Sequence, residues 1–329
     1  MKSEPQAEVN GFFNIIKPVG ITSHDVVARV RKLTSIKQVG HAGTLDPLAS
    51  GVMVVAVGKA CRLMRFLSDD KTYLAEILLG VQTETDDMEG AVIESREVPA
   101  SLTELQIATE LQKFSGEISQ IPPIYSAIHV KGERLYNLAR SGADLAALNI
   151  EIPTRQVTIN EIGLIDITLP VVTARIACSK GTYIRSIARD LGAALGLGGT
   201  LKSLVRERSG SFSIESANTF EQLAALKAEG LPALLASLCP VEKALPLEQI
   251  VCNPEQISKF CMGQKVSMPF PACNTSNSAN NFVAGQFVLI RQDNDAQTST
   301  LVGQIANLDF EQNLFVISPE VVFSNAKTT

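Results

Sequence analysis

Apolar positions recur along this chain in two rhythms, and glycine and proline mark the places where one gives way to the other. Residues 12–16 (Phe-Phe-Asn-Ile-Ile) are a short apolar run closed by Lys17-Pro18-Val19-Gly20, the pattern of a strand ended by a turn. The period then lengthens. Thr22 and Asp25 match a capping box, and Val26, Val27, Val30 and Leu33 form a helical stripe that leaves Arg29, Arg31 and Lys32 largely outside it. Residues 40–51 are too rich in Gly and Pro for a regular element, and Val52 to Val57 follows as a buried strand. Lys59 to Leu67 reads as a helix, Lys71 to Leu79 as an alternating strand carrying Tyr73, and residues 83–90 (Thr-Glu-Thr-Asp-Asp-Met-Glu-Gly) as a polar, acidic turn.

Further on, residues 101–115 have amphipathic helical spacing, and Ile121 to Ala127 is an extended linker into a helix from about Glu133 to Arg140. Val171 to Cys178 reads as a strand, Ser179-Lys180-Gly181 as a turn, and Tyr183 to Leu195 as a helix with Arg185 one turn in. Strands and helices of mixed order predict an α/β or α+β sheet domain. From about residue 241 the texture becomes short strand-like runs, at 265–270, 282–291, 300–306 and 314–323, which suit a small barrel or sandwich. The polar tract 273–281 between the first two is expected to be a mobile loop.

At 329 residues the chain is long enough for two domains, and 45% hydrophobic against 19% charged residues excludes a disordered solvating chain. The net charge of −5 excludes a uniformly basic nucleic-acid coat, yet the average hides a division. Residues 11–75 carry a net +5, residues 125–210 a net +4, and the remainder −14. If the fold joins the two basic blocks, they make one positive face suited to a phosphate backbone; solvated helix faces account for the charge equally well.

The six cysteines include no CxxC pair and are expected to be reduced, mostly buried thiols. The three histidines, His24, His41 and His129, form no HExxH or other zinc-ligand spacing, so no metal site is expected. The first ten residues hold no apolar core of signal-peptide length, and no run approaches the ~18 apolar residues of a membrane span. A cytoplasmic protein is expected.

Several catalytic patterns fail on spacing. Met53 sits where a Walker loop ending at Gly58-Lys59 needs its first glycine, residues 192–199 hold no full GxGxxG, and there is no GxSxG elbow. Two readings stay open for Asp46 in Gly40-His-Ala-Gly-Thr-Leu-Asp46-Pro47. Asp before Pro suits a cap on a short turn, while a carboxylate raised on a glycine-flanked loop suits a nucleophile or base. All four tyrosines, at 73, 125, 136 and 183, stand in or beside these same segments, where a ring can stack on a nucleobase.

Together the segments Gly11 to His24, Val39 to Gly51, Lys71-Thr72-Tyr73, Ile121 to Ala127 and Lys180 to Ile187 resemble the bacterial tRNA pseudouridine-55 synthases, the TruB family, over residues 11–210. The resemblance implies an α+β fold: a mixed, largely antiparallel sheet flanked by helices, with a small C-terminal β-rich, PUA-like domain. Residues 1–240 would be the catalytic domain and 241–329 the β-rich one. It implies isomerisation of uridine 55 in the T arm of tRNA by base flipping, with no metal and no cofactor, by a monomer. Asp46 would be the essential carboxylate, Tyr73 would stack on the uracil and assist proton removal from C5, and Arg185 would hold Asp46 ionised. His41, Tyr183 and Leu204 would line the place of the displaced nucleotide. Two other classes remain as alternatives: a non-catalytic tRNA chaperone on the same scaffold, and a small-molecule α/β enzyme with a carboxylate nucleophile.

Overall fold

The computed structural model describes residues 9–126, 128–130, 133–136, 152–269, 282–292, 301–309 and 314–322. Thirteen strands precede the C-terminal region: β1 Gly11–Lys17, β2 Val39–His41, β3 Ala49–Val57, β4 Lys71–Leu79, β5 Val81–Thr83, β6 Val92–Ser95, β7 Gly116–Gln120, β8 His129–Val130, β9 Glu133–Arg134, β10 Arg155–Thr168, β11 Val171–Cys178, β12 Gly199–Ser209 and β13 Phe212–Ser213. Seven of them make the backbone of a nine-stranded sheet in the order β1-β3-β12-β4-β11-β10-β7, with β2 pairing β3 and β13 pairing β12. All its pairs are antiparallel except β3 with β12.

Sequence explains the elements at the site. The α1 helix, Ser23–Thr34, is started by the reciprocal Thr22–Asp25 capping box and buries Val26, Val27 and Val30, while Ser35 ends it in the left-handed region at φ 61°. β4 alternates strictly, so Tyr73, Ala75, Ile77 and Leu79 share one buried face. That face packs with β11 and β12 under α2, Glu104–Gln112, and α3, Ile184–Ala194, through Ile107, Leu111, Ile187 and Leu191. β1 and β3 meet α1 and the 220–229 and 231–236 helices through Phe13, Ile15, Val55, Leu223 and Leu234.

A second sheet, of five strands, runs β14 Glu248–Cys252, β16 Phe287–Gln292, β17 Leu301–Asp309, β18 Leu314–Val322 and β15 Val266–Pro269 across its width. The expected C-terminal strands are therefore present. A shared apolar cluster holding Phe12, Val52 and Val54 with Leu289, Val302 and Val321 welds this sheet to the first, aided by edge-to-face contact of Phe66 with Phe287 at 4.9 Å.

Several expectations need correction. Residues 40–51 are not loop throughout, since β2 and β3 claim both ends. Lys59 to Leu67 is a 3-10 helix over Gly58–Phe66. Glu133 and Arg134 pair with Val130 and His129 as strands where a helix was expected, and residues 137–140 lie outside the described residues, as does the 273–281 tract. Arg185 is the second residue of its helix, inside the first turn. Among the described residues no helix is long and apolar enough to cross a membrane.

Candidate active site

The strand that leaves the loop between β2 and β3 is held in a shape that only glycine permits. Gly51 has φ 101°, and a Cβ there would lie 2.3 Å from the Arg206 carbonyl oxygen and 2.7 Å from its nitrogen, because β3 and β12 pair in parallel with Gly51 beside Arg206. Behind the loop, Ser23 exchanges hydrogen bonds with Leu45, its Oγ donating to the Leu45 carbonyl (3.1 Å) and accepting from the Leu45 N–H (2.9 Å). The Lys17 ammonium, fully buried, donates to the carbonyls of Pro18 (3.0 Å), Ile21 (2.7 Å) and Pro47 (3.4 Å). Burial pushes that ammonium below its ordinary value, against the pull of Asp46.

The turn after Asp46 is closed by the backbone, Ala49 N–H donating to the Asp46 carbonyl (3.0 Å). The carboxylate turns to Arg185, with Nε to Oδ2 at 3.0 Å. The Arg185 side chain is 7% exposed and that of Asp46 35%, so the pair has a fixed cation behind a carboxylate open to the cleft. The other guanidinium nitrogens are engaged as well. Nη1 donates to Thr85 O (3.0 Å) and faces the buried Asp87 (3.5 Å), and Nη2 donates to Tyr125 O (3.1 Å). One turn on, Arg189 pairs with Asp86 (2.9 Å), so two arginines four residues apart fasten two consecutive aspartates. The acidic turn is thus no solvated feature but the wall behind Arg185.

Three adjacent strands form the floor. Tyr73 on β4 lies opposite Arg206 on β12, and Leu204, two residues earlier on the same face, sits between Ala49 and Ala75, whose small side chains leave it open to the cleft. Burial pushes the Tyr73 phenol above its ordinary value, while the charge of the Arg206 guanidinium pulls it the other way. Tyr183 is set by Gln120, whose amide bridges its backbone, accepting from Tyr183 N–H (2.8 Å) and donating to its carbonyl (3.1 Å).

These groups surround a cleft of about 950 Å³ that Asp46, Tyr73, Tyr183, Arg185 and Leu204 all line, with Tyr125, Tyr136, Lys71 and Lys180 around them. His41 is absent from the lining. His24 takes that place, with the His41 ring set edge-on against it at 5.9 Å. Sequence reasoning missed Asp87 and Arg206. The spacing of Arg185 and Arg189 against Asp86-Asp87 was a signal for the first, and the two-residue step from Leu204 along a strand was a signal for the second. Among the described residues no group of three or more His, Cys, Asp or Glu is arranged to hold a metal ion.

Sheet, helices and cleft define an α+β fold in which one aspartate, backed by a buried arginine, is presented to an open cleft. Residues 31–184 match the N-terminal domain of the TruB family pseudouridylate synthases, and residues 185–246 match the tRNA pseudouridylate synthase B C-terminal domain. The tRNA pseudouridine synthase B of Trichormus variabilis is 45% identical over 264 residues, 79% of this chain and 87% of that protein. The one from Dehalococcoides mccartyi is 45% identical over 282 residues, covering 84% and 91%. Among solved structures, a chain of a Cbf5-Nop10-Gar1 complex superposes with a TM-score of 0.70 at 26% identity, over 95% of this chain and 85% of that one. The chain belongs to the TruB family of pseudouridylate synthases and has their fold.

Proposed function

We propose that this protein isomerises uridine 55 in the T arm of tRNA to pseudouridine, with Asp46 as the essential carboxylate. The 3.0 Å contact between Asp46 and the buried Arg185 at the base of the cleft carries this reading. The relatives at 45% identity that bear the name tRNA pseudouridine synthase B support it.

The reaction breaks N1–C1′, rejoins the same uracil through C5, and moves a proton from C5 to N1. Substrate and product have the same composition, so no oxidant, reductant or group donor is required. Asp46, paired with the adjacent guanidinium at 3.0 Å, is placed to attack the sugar or the base. Tyr73 and Leu204 offer an apolar slot for an everted uracil, and the Tyr73 oxygen would take the C5 proton. Everting the base costs a few kcal/mol of stacking, which contacts in the slot offset. Lys71 and Lys180 at the rim suit phosphates, and recognition rests on the folded shape of the T arm.

The protein would act as a monomer, and a tRNA substrate points to the cytoplasm. Residues 1–240 would act as the catalytic domain and 241–329 as a PUA-like RNA-binding extension. Incubation with unmodified tRNA transcript and chemical mapping of pseudouridine tests the reading. Conversion at position 55 by the native chain and none by Asp46→Asn is expected. Unimpaired conversion by Asp46→Asn overturns the role of Asp46, and tRNA binding without conversion by the native chain leaves only the chaperone.

A further inference from the structure

Among the described residues Arg206 is the largest fully buried side chain, and it makes no ion pair there. A buried guanidinium without a carboxylate is expensive, and it persists only where its donors are otherwise satisfied. Those donors go to backbone. Nε donates to Val52 O (2.7 Å), Nη1 to Thr44 O (3.3 Å) and Nη2 to Gly43 O (3.3 Å). Gly43 and Thr44 immediately precede Leu45 and Asp46, while Val52 lies in β3 just beyond the loop, so one planar group ties both ends of the Asp46 loop to β12. The same guanidinium faces Tyr73, its register partner on β4.

We propose that Arg206 is a positioning residue for the isomerisation, locking the Asp46 loop and the Tyr73 oxygen into one fixed geometry from the floor of the cleft. The inference rests on the tRNA pseudouridine synthase reading above. A guanidinium has donors and no acceptor, so in any hydrogen bond between the two the Tyr73 oxygen is the acceptor. The phenolic hydrogen is thereby aimed away from Arg206, and a lone pair of defined direction is left for the substrate proton. Fixing both groups from one anchor sets the distance between the attacking carboxylate and the proton acceptor. Lysine in its place keeps the charge but cannot span three carbonyls and a phenol.

The test is single-substrate kinetics on unmodified tRNA with the full chain, its Arg206→Lys and Tyr73→Phe variants, and the double variant. Arg206→Lys should lower kcat about a hundredfold with KM nearly unchanged, the size of loss that follows from misplacing reacting groups by about 1 Å. In the Tyr73→Phe background the same replacement should have a clearly smaller effect, because part of its action passes through the missing hydroxyl. Unchanged kcat in folded Arg206→Lys, or an equal loss with and without the Tyr73 hydroxyl, overturns the proposal. If replacements at Arg206 do not fold, guanidinium NMR signals of Tyr73→Phe decide. One arginine signal should move that is untouched in Asp46→Asn, where Arg185 responds; no such signal overturns the proposal. Failure of the native chain to convert uridine would instead refute the functional reading.

Discussion

The two sheets bury different things. Every charged side chain buried among the described residues, Lys17, Asp87, Arg185 and Arg206, belongs to the nine-stranded sheet or the elements packed on it. The five-stranded sheet closes on Ile250, Phe260, Val288, Ile290, Ile305, Phe315 and Ile317, with no buried charge. Apolar burial stabilises at about 25 cal/mol per Å² whatever the sequence around it, whereas each buried ion must be individually matched. The first sheet has therefore accepted a costly interior in return for a fixed carboxylate, and the second has a stabilising interior with no chemistry in it. Each sheet has a parallel pair among the described residues, β3 with β12 in the first and β14 with β16 in the second, and only the first carries a buried charge, Arg206 beside Gly51.

The largest effect that separates the two is expected at Asp46. Asp46→Asn should cut turnover by about 10⁴-fold or more, about 5.5 kcal/mol of transition-state stabilisation, with the melting temperature nearly unchanged. Asp87→Ala should follow, because it leaves Arg185 buried with one of its two carboxylates gone. A loss of about 4 kcal/mol in urea unfolding, with turnover falling as Arg185 shifts, is expected. Stability retained at the native level would mean that the first sheet's charges are no more costly than ordinary core.

The second sheet supplies the converse. Phe315→Ala removes a fully buried ring stacked on Phe282 at 5.6 Å and should cost about 3 kcal/mol of stability. Turnover per folded molecule should stay within about twofold, measured below the unfolding transition. A large drop in kcat would show that the apolar sheet reaches the chemistry and that the division is false.

The same contrast decides what was readable in the sequence. Apolar periodicity gave away α1, β3, β4 and the C-terminal strands, because burial of a face writes itself as a repeat. Asp46, Tyr73 and Arg185 were legible as a family pattern. Asp87 was not, because a run of Thr, Glu and Asp has the composition of a solvated turn, and only the partner helix more than ninety residues later shows that it is buried. Arg206 was hidden likewise: a charged residue in an alternating strand is normally placed on the wet face, and its carbonyl partners come from a loop and the strand after it, over 150 residues away. β10 and β12 are long but broken by register shifts, which blur their alternation.

The smallest expected effect is a slope with pH, and it too belongs to the first sheet, since His41 lies on β2 and His24 on α1, which packs against it. Burial, and then repulsion from His24 at 5.9 Å, hold His41 below the ordinary histidine value. The unfolded chain therefore takes up a proton on this ring at a higher pH than the folded one. Stability from the neutral ring is complete above the unfolded value of about 6.5 and declines as pH falls from there toward the lower folded value. Melting temperature followed from about pH 7 to about pH 5 should fall in the native chain and fall less steeply in His41→Gln. Equal slopes in the two proteins would shift the acid sensitivity to the carboxylates and remove His41 from the account. A steeper slope in His41→Gln would mean that the charged ring is welcome in the fold, against its position behind His24.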